Sequence, residues 1–351
     1  MALKVVQWTT GNVGRASVRA IADNPLLELV GGYAFSHEKV GRDVGELAGI
    51  GALGIPATND VDALLALEPD CVSYNPLWPD VNELVRILEA GVNVCSTAAF
   101  MTGHALEDEG RARIEEACRA GHASMFGSGI NPGFVNMLGL VLAGLSQKIE
   151  RITVRESVDS TAYSSPETEG STGFGQPIDN PELPTMTAKG TAVFGDAVRL
   201  MAEALALELD EVVCESEYAQ ATRDMDLGYM TIRKGCVSAI KASWLGRAGG
   251  VTRIDLQVLW RKGQHIEPDW QVEHGYLVEV EGLPGVKTRL ELSFPPEVFA
   301  GASTMNEIMS IGMLMTALPA VNAIPAVCAA APGIVTYRDL PLITGAGRVA
   351  V

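Results

Sequence analysis

The first 130 residues alternate between short apolar runs and longer segments whose apolar residues recur every three or four positions. Runs of the first kind predict buried strands, and segments of the second kind predict amphipathic helices. The predicted strands cover 5–8, 27–35, 70–74, 93–97 and 123–126, and the clearest helices cover 61–67, 80–90 and 106–120. This alternation predicts an α/β fold with a doubly wound, parallel, Rossmann-type sheet.

The pattern changes after Ser146. Residues 149–158 alternate like a half-buried strand, and 211–294 contain several strand-like runs separated by glycine-bearing turns. Between them, 161–184 is rich in Ser, Thr, Gly and Pro and has no periodicity, which predicts a long loop that is either functional, such as a substrate lid, or mobile. These features predict an α+β domain with a mostly antiparallel sheet.

Near the C-terminus, a helix is predicted over 303–318 and is expected to end at Pro319. We expect the segment after it to return to the first domain. The predicted domains are a dinucleotide-binding domain, 1–134 completed by 319–351, and a substrate and dimerisation domain, 135–318.

Composition restricts the partners. The 351 residues carry a net charge of −17, which argues against nucleic acid or an anionic membrane surface. We find no targeting signal and no apolar run that looks long enough to span a bilayer, so a cytoplasmic protein is expected. The six cysteines and five histidines lack metal-ligand spacing, which predicts reduced thiols and no metal site.

The first turn carries the main chemical signal. Thr9–Arg15 links the first strand to a helix, and Gly11 and Gly14 take the second and third glycine positions of G-x-G-x-x-G, with Thr9 at the first. Such a turn lets backbone N–H groups and a helix N-terminus approach a pyrophosphate. The motif is incomplete, so an ordinary strand-to-helix turn is the alternative.

The end of the second predicted strand indicates which dinucleotide is bound. An NAD site usually places an acid there to hold the ribose hydroxyls. Here Ser36, Lys39 and Arg42 stand in that region, which favours the 2′-phosphate of NADP. Glu38 lies close enough to keep NAD open.

Further cofactor contacts are predicted at the carboxyl ends of the other parallel strands. The glycine-rich loop 127–134 either touches the nicotinamide or serves as a hinge. The predicted cofactor-binding residues are Thr10, Gly11, Asn12, Val13, Gly14, Ser36, Lys39, Arg42, Asn75, Thr97 and Asn131.

Three segments carry a family resemblance: 10–15, 36–43 and 129–134. The chain resembles the dihydrodipicolinate-reductase-like NAD(P)-dependent oxidoreductases, in the branch of 2,4-diaminopentanoate dehydrogenase and the native amine dehydrogenases. The resemblance implies a Rossmann domain completed by the C-terminal segment, a second α+β domain, and NAD(P)-dependent interconversion of an amine and a ketone or imine.

One position departs from that branch. In the proteins of that branch, the strand that corresponds to 93–97 is followed by an acidic residue that serves the amine. In this chain the matching position is Ala99. Amine chemistry needs a carboxylate to hold a cationic nitrogen and move protons. Glu156 or Glu169 is the candidate replacement, with a solvated strand face as the alternative for Glu156.

The proton donor stays open between Tyr163 and His265, and Tyr163 is equally suited to an apolar pocket wall. The predicted substrate pocket is mainly apolar. Its predicted residues are Ala99, Phe134, Tyr163 and Phe174.

The leading hypothesis is an NADP-dependent oxidoreductase for a small, mainly apolar ketone, imine or amine, acting as a homodimer. A carbonyl or C=C reductase without amine chemistry is the second hypothesis, consistent with Ala99. A non-catalytic NADP-binding sensor is the third.

Overall fold

The structure, a computed structural model, describes residues 1–301 and 304–349. Its strands are β1 (Leu3–Trp8), β2 (Leu27–Tyr33), β3 (Ala57–Thr58), β4 (Cys71–Tyr74), β5 (Asn93–Ser96), β6 (Ser124–Gly127), β7 (Lys148–Asp159), β8 (Glu211–Ala221), β9 (Met225–Asp226), β10 (Thr231–Ile232), β11 (Val237–Ala248), β12 (Val251–Arg261), β13 (Ile266–Glu267), β14 (Gly275–Leu283), β15 (Val286–Leu290) and β16 (Gly333–Val335). Its α-helices are α1 (Asn12–Ala22), α2 (Val44–Ala48), α3 (Val61–Leu65), α4 (Val81–Glu89), α5 (Glu107–Gly121), α6 (Val135–Ala143), α7 (Pro166–Thr172), α8 (Leu183–Gly190), α9 (Ala192–Ala204), α10 (Met305–Gly312) and α11 (Leu314–Cys328). The chain divides into two compact units: unit 1 is Met1–Phe134 with Ser310–Val351, and unit 2 is Val135–Met309.

Unit 1 is built on a parallel sheet with strand order β16-β6-β5-β4-β1-β2-β3. Helices α4 and α5 bury Leu84, Ile87 and Ile114 in one apolar cluster. Helices α1 and α11 contribute Ile21 and Ile324 to another. The predicted Rossmann-type, doubly wound sheet is therefore confirmed, and the C-terminal strand β16 pairs with β6 at its edge.

Local sequence explains the helix starts in unit 1. Asp80 caps α4 by accepting hydrogen bonds from the backbone N–H groups of Asn82 and Glu83, as a capping residue should. The Glu83 carboxylate does not complete a capping box. It accepts hydrogen bonds from Trp8 Nε1 and Tyr74 Oη instead, because burial of these two aromatic residues leaves their polar atoms in need of a partner.

Unit 2 contains a mixed, mostly antiparallel sheet with strand order β13-β8-β11-β12-β7-β14-β15. The predicted mostly antiparallel sheet is confirmed, although β12 and β7 pair in parallel. Helix α9 packs on one face: a Cβ at Gly195 would lie 2.6 Å from the Trp244 ring, and Trp244 Nε1 donates to Thr191 Oγ1.

Two predictions about local structure are wrong. Segment 161–184 is not a structureless loop, since it contains α7 and the start of α8. Pro319 does not end a helix, because α11 continues through Pro319 and Pro325. The buried apolar face of α11 compensates for the backbone hydrogen bonds that these prolines cannot make. The predicted helix start at Ser303 lies outside the described residues.

One helical stretch, Glu307–Cys328, is long and apolar enough to cross a membrane by length and composition, contrary to our expectation from the sequence. Buried helices of globular proteins pass the same test. Within unit 1, Val321 and Ile324 of this stretch are buried in one cluster with Val5 and Phe126.

Candidate functional site

The turn after β1 is shaped by close backbone packing. Thr9 has a left-handed backbone (φ 70°), and its hydroxyl donates to the Asn75 carbonyl over 2.9 Å. A Cβ at Gly14 would lie 2.4 Å from the Thr9 carbonyl oxygen, so this position requires glycine. The N-cap residue of helix α1 is Gly11, which has no side chain that could cap the first N–H groups of the helix. In the described structure, the first turn of α1 also holds no acidic residue. The helix N-terminus is thus suited to an anion.

Three cations gather beside this turn. The Lys39 ammonium donates to the Thr10 carbonyl over 3.2 Å. Burial lowers the pKa of Lys39, and the positive charges of Arg15 and Arg42 lower this pKa further. The buried Nε of Arg15 makes no hydrogen bond within the described residues. Like charges brought together around an unsatisfied donor favour a multiply charged anion.

Asp43, which follows Arg42 in the chain, holds the start of α2 and the loop after it in place. Its carboxylate accepts hydrogen bonds from the backbone N–H groups of Gly45, Glu46, Leu53, Gly54 and Ile55. These donors, chiefly the Leu53 N–H, lower the pKa of Asp43. Asp43 is not among the residues predicted from the sequence. An acid just before an apolar helix start is a recognisable cap signal that would have found it.

A hydrogen-bond network joins the ends of β1, β4 and β5. Asn75 Nδ2 donates to Thr97 Oγ1 over 2.7 Å, while Gln7 Nε2 donates to Asn75 Oδ1 over 2.8 Å. These bonds bring Asn75 and Thr97 together at the carboxyl ends of β4 and β5, and Thr10 follows the carboxyl end of the neighbouring strand β1. Sequence reasoning missed Gln7, which is fully buried. The signal was a single polar residue inside an apolar strand.

Beyond Thr97 the chain turns sharply at Ala99, whose backbone is left-handed (φ 45°). A non-glycine residue in this conformation is strained, and such strain occurs most often at functional sites. A Cβ at Gly127 would lie 1.9 Å from the Phe100 carbonyl oxygen, so β6 packs tightly under this turn. The methyl group of Ala99 brings no charge to the turn.

The loop 130–134 has an irregular backbone, with Gly133 at φ 139°. Ser128 Oγ lies 2.7 Å from the place that a Cβ at Gly133 would occupy. The same hydroxyl is 2.6 Å from Tyr337 Oη. Asn131 lies in this loop, and the Phe134 side chain at its end is 43% exposed.

In unit 2, the structure brings three sequence-predicted candidates into one neighbourhood. Burial raises the pKa of Tyr163 to about 12, and the negative charges of Glu169 and Glu156 add to this rise. Glu156 Oε1 accepts a hydrogen bond from Trp260 Nε1 over 3.0 Å, so it is anchored in the sheet. His265 is exposed.

Glu169 is buried in α7 and pairs with Lys262, whose Nζ is 2.8 Å from Glu169 Oε2. Burial raises the pKa of Glu169 to about 7, although Lys262 opposes this rise. Phe174 is 2% exposed, and the centroid of its ring lies 5.0 Å from the Lys262 ammonium. Sequence reasoning missed Lys262 and Tyr229, because neither a lysine after a strand nor a tyrosine near a turn signals burial.

Residues 134–348 match the family model of the 2,4-diaminopentanoate dehydrogenase C-terminal domain. An amine dehydrogenase of Streptomyces virginiae is 32% identical over 365 aligned positions, covering 99% of this chain and 98% of that one. The chain belongs to this dehydrogenase family. The resemblance recognised in the sequence is thereby confirmed, and the chain is an NAD(P)-dependent oxidoreductase.

Two further relatives are consistent with this membership. A 2,4-diaminopentanoate dehydrogenase of Acetoanaerobium sticklandii is 27% identical over 262 positions, covering 73% of this chain and 68% of that one. The solved structure of an amine dehydrogenase from Mycobacterium smegmatis aligns with a TM-score of 0.76 at 19% identity, covering 99% of both chains. At this identity, the structural match supports the fold.

Proposed function

We propose that this family member is an NADP-dependent oxidoreductase that interconverts a small, mainly apolar amine and the corresponding ketone or imine. Unit 1 binds the dinucleotide, and unit 2 contributes to the substrate chemistry. The observation that carries the proposal is the turn at Gly11–Gly14 with Arg15, Lys39 and Arg42 beside it. The full-length similarity to an amine dehydrogenase supports the amine.

The residues of unit 1 fit NADP. The first turn of α1 faces the pyrophosphate with its N-terminus, and Gly14 keeps the chain close to Thr9. Lys39, Arg42 and the Arg15 guanidinium bind the 2′-phosphate, whose double charge offsets their mutual repulsion. When bound, the nicotinamide supplies the hydride. NAD remains usable, because the pyrophosphate contacts are common to both dinucleotides.

The carboxylate missing at Ala99 is supplied by Glu169 in this proposal. A general acid or base works best when its pKa lies near the working pH, and burial raises the pKa of Glu169 to about 7. Glu156 is the second candidate, and its carboxylate accepts the Trp260 indole N–H. Within unit 2, Tyr163 and Phe174 remain the proposed apolar walls of the substrate pocket.

The test measures NADPH consumption with a panel of small ketones, with and without ammonium. We expect consumption only when ammonium is present. Consumption without ammonium would instead indicate a carbonyl or C=C reductase, which Ala99 favours. Tight NADPH binding without turnover in either direction would indicate a sensor. Glu169→Gln and Glu156→Gln form a matched pair, and we expect Glu169→Gln to be the more damaging.

The assembly is proposed to be a cytoplasmic homodimer. One face of the unit 2 sheet is covered by α9, while the other carries polar side chains that include Arg155, Lys241 and Gln257. Because a two-fold dimer packs the same patch of both copies against each other, this second face is proposed as the dimer interface. Light scattering after size-exclusion chromatography should give twice the mass of one chain.

A further inference from the structure

Lys262 is fully buried at the end of β12, which is rare for a lysine. Three oxygen atoms surround its ammonium: Glu169 Oε2 at 2.8 Å, the Ser160 carbonyl at 2.9 Å and Tyr229 Oη at 2.9 Å. Two aromatic rings complete the enclosure, with the Phe174 and Tyr229 centroids 5.0 and 5.4 Å away. The ammonium therefore has a carboxylate, two further acceptors and two π faces as partners.

This enclosure joins segments that are far apart in sequence. Ser160 follows β7, Glu169 lies in α7, and Tyr229 lies between β9 and β10. Tyr229 Oη also donates to the Thr161 carbonyl over 3.1 Å, which ties it to the same segment as Ser160. Lys262 is thus the common point that fixes α7 and its carboxylate relative to the sheet of unit 2.

Other charged groups lie around the pair. Burial lowers the pKa of Lys262, and the negative charges of Glu169 and Asp159 oppose this change. Asp159 is itself paired with Arg261 Nη2 at 3.2 Å. Tyr163 is influenced by both Glu169 and Glu156, and the high pKa of its hydroxyl keeps it neutral near pH 7. Lys262 is therefore the cation that acts directly on Glu169.

A buried ion pair of this kind does not usually increase the free energy of unfolding. Removing two charges from water costs several kcal/mol per ion, and apolar replacements of buried pairs are often as stable. A buried pair does fix geometry and charge state. Burial pushes Glu169 toward its neutral form, and Lys262 is the group that opposes this change.

We infer that Lys262 is a positioning residue for Glu169, holding its carboxylate in one orientation and in the ionised form that accepts a proton. The inference rests on the role proposed for Glu169. The ionised carboxylate takes a proton from a substrate ammonium, giving a neutral amine and a carboxylic acid, and returns it in the reverse direction. Lys262 stays protonated throughout and does not touch the substrate.

The experiment compares Lys262→Met with Lys148→Met. Lys148 forms a pair of similar length with Glu150 (2.6 Å), but both side chains are exposed. The first readout is the titration of the Glu169 carboxyl carbon by NMR, assigned by its absence in Glu169→Gln. We expect Lys262→Met to raise the titration midpoint by about one pH unit or more. Lys148→Met should leave it unchanged.

The second readout is the pH profile of kcat/KM for oxidation of the amine, the direction in which the ionised Glu169 takes the proton. We expect the acidic limb to move upward with the NMR midpoint in Lys262→Met. A rise of the Glu169 pKa from about 7 by about one unit lowers the ionised fraction at pH 7 about fivefold, and kcat/KM should fall there by about the same factor. Lys262→Arg should restore most of the wild-type profile, because the charge is retained. A Glu169 midpoint that stays put in folded Lys262→Met overturns the inference, whatever the activity.

The two proposals fail in different ways. If the NMR midpoint moves and the kcat/KM profile does not, Lys262 controls Glu169 but Glu169 is not the reacting acid, and the proposed function loses its carboxylate. If Lys262→Met does not fold, Tyr229→Phe removes one ammonium partner while keeping the ring. We then expect a smaller upward shift, and no shift would overturn the inference.

Discussion

The turn of unit 1 and the buried pair of unit 2 place cations in opposite ways. Around the turn, Arg15, Lys39 and Arg42 lie together, and the first of these has a buried donor that no described residue satisfies. In unit 2, Lys262 is already enclosed by acceptors of its own chain. Cations that repel one another stabilise a site only when an external anion binds. A cation with an internal carboxylate serves to organise that carboxylate.

The two regions also differ in how the chain builds them. The turn uses consecutive residues and depends on the backbone, so one substitution there should act on the ligand directly. The pair uses Glu169 and Lys262, which are 93 positions apart (262 − 169), so its behaviour depends on packing. This difference predicts how substitutions in each region should behave.

The largest effect is expected from Gly14→Val. The new side chain meets the Thr9 carbonyl at 2.4 Å, and the turn must open to accommodate it. We expect NADPH binding to weaken about a hundredfold or more, with a lower melting temperature; calorimetry and a thermal melt measure the two effects. Gly11→Ala is the control, because its Cβ meets no described atom within 4 Å: binding should weaken without loss of stability. Unchanged NADPH affinity in Gly14→Val would remove the turn from the site.

The next effect concerns the charge beside the turn. We expect Lys39→Ala and Arg42→Ala each to weaken NADPH binding by about 1–3 kcal/mol, the usual range for charge-assisted hydrogen bonds. NADH binding should hardly change, because NADH has no 2′-phosphate. Lys4→Ala, which removes an exposed charge at the start of β1, is the matched control. Equal losses for both dinucleotides would contradict the assignment.

The third prediction concerns pH and stability. Burial raises the pKa of Glu169 to about 7 from an ordinary value of 4.5, so the folded state holds this proton more tightly than the unfolded state. The resulting stabilisation is present below about pH 4.5 and is lost as pH rises toward 7. Urea unfolding at several pH values should therefore show that wild type loses about 1–3 kcal/mol relative to Glu169→Gln across this range.

For Glu150, the free energy of unfolding should change with pH in the opposite direction to that expected for Glu169. The exposed carboxylate of Glu150 accepts a hydrogen bond from Lys148, which lowers its pKa. Any stabilisation from this pair is present above pH 4.5 and is lost as pH falls through the lowered pKa. Glu150→Gln should change stability only slightly, as is usual for exposed pairs. If Glu169→Gln and Glu150→Gln changed the pH dependence of the unfolding free energy equally, the burial of the Glu169 pair would not affect stability as predicted.

The smallest effect is expected from Thr97→Val, which removes the acceptor of the Asn75 amide. We expect a loss of about 1 kcal/mol in unfolding free energy and less than a tenfold loss in NADPH affinity. Thr58→Val removes an acceptor of similar kind at the end of β3, where Thr58 Oγ1 bonds the Asp60 N–H. The control should lose similar stability and bind NADPH normally.

The sequence predicted those features whose causes are local. Periodicity located the parallel sheet, because each strand and helix must bury its own apolar face. The glycines at 11 and 14 and the basic residues at 39 and 42 indicate a dinucleotide turn, because backbone approach and charge at a strand end depend on neighbouring residues, and this assignment stays a prediction. Family motifs in the same segments led to the correct branch.

Local reasoning failed where distant residues decide the outcome. The prolines of α11 argued against a continuous helix, but burial of Val321 and Ile324 outweighs that local penalty. The composition of 161–184 predicted a loop, whereas Glu169 and Phe174 are buried and α7 forms. A segment's surroundings set its conformation when the apolar area that it buries exceeds its intrinsic preference.

Charge shows the same division most clearly. From the sequence alone, Lys262 is one of 26 basic residues and Glu169 one of 43 acidic ones, and such side chains are usually solvated. Only the tertiary structure encloses this lysine and this glutamate together, away from water. Desolvation depends on every element packed around a group. The residues next to Lys262 and Glu169 in the sequence therefore predict neither the pair nor its effect on proton affinity.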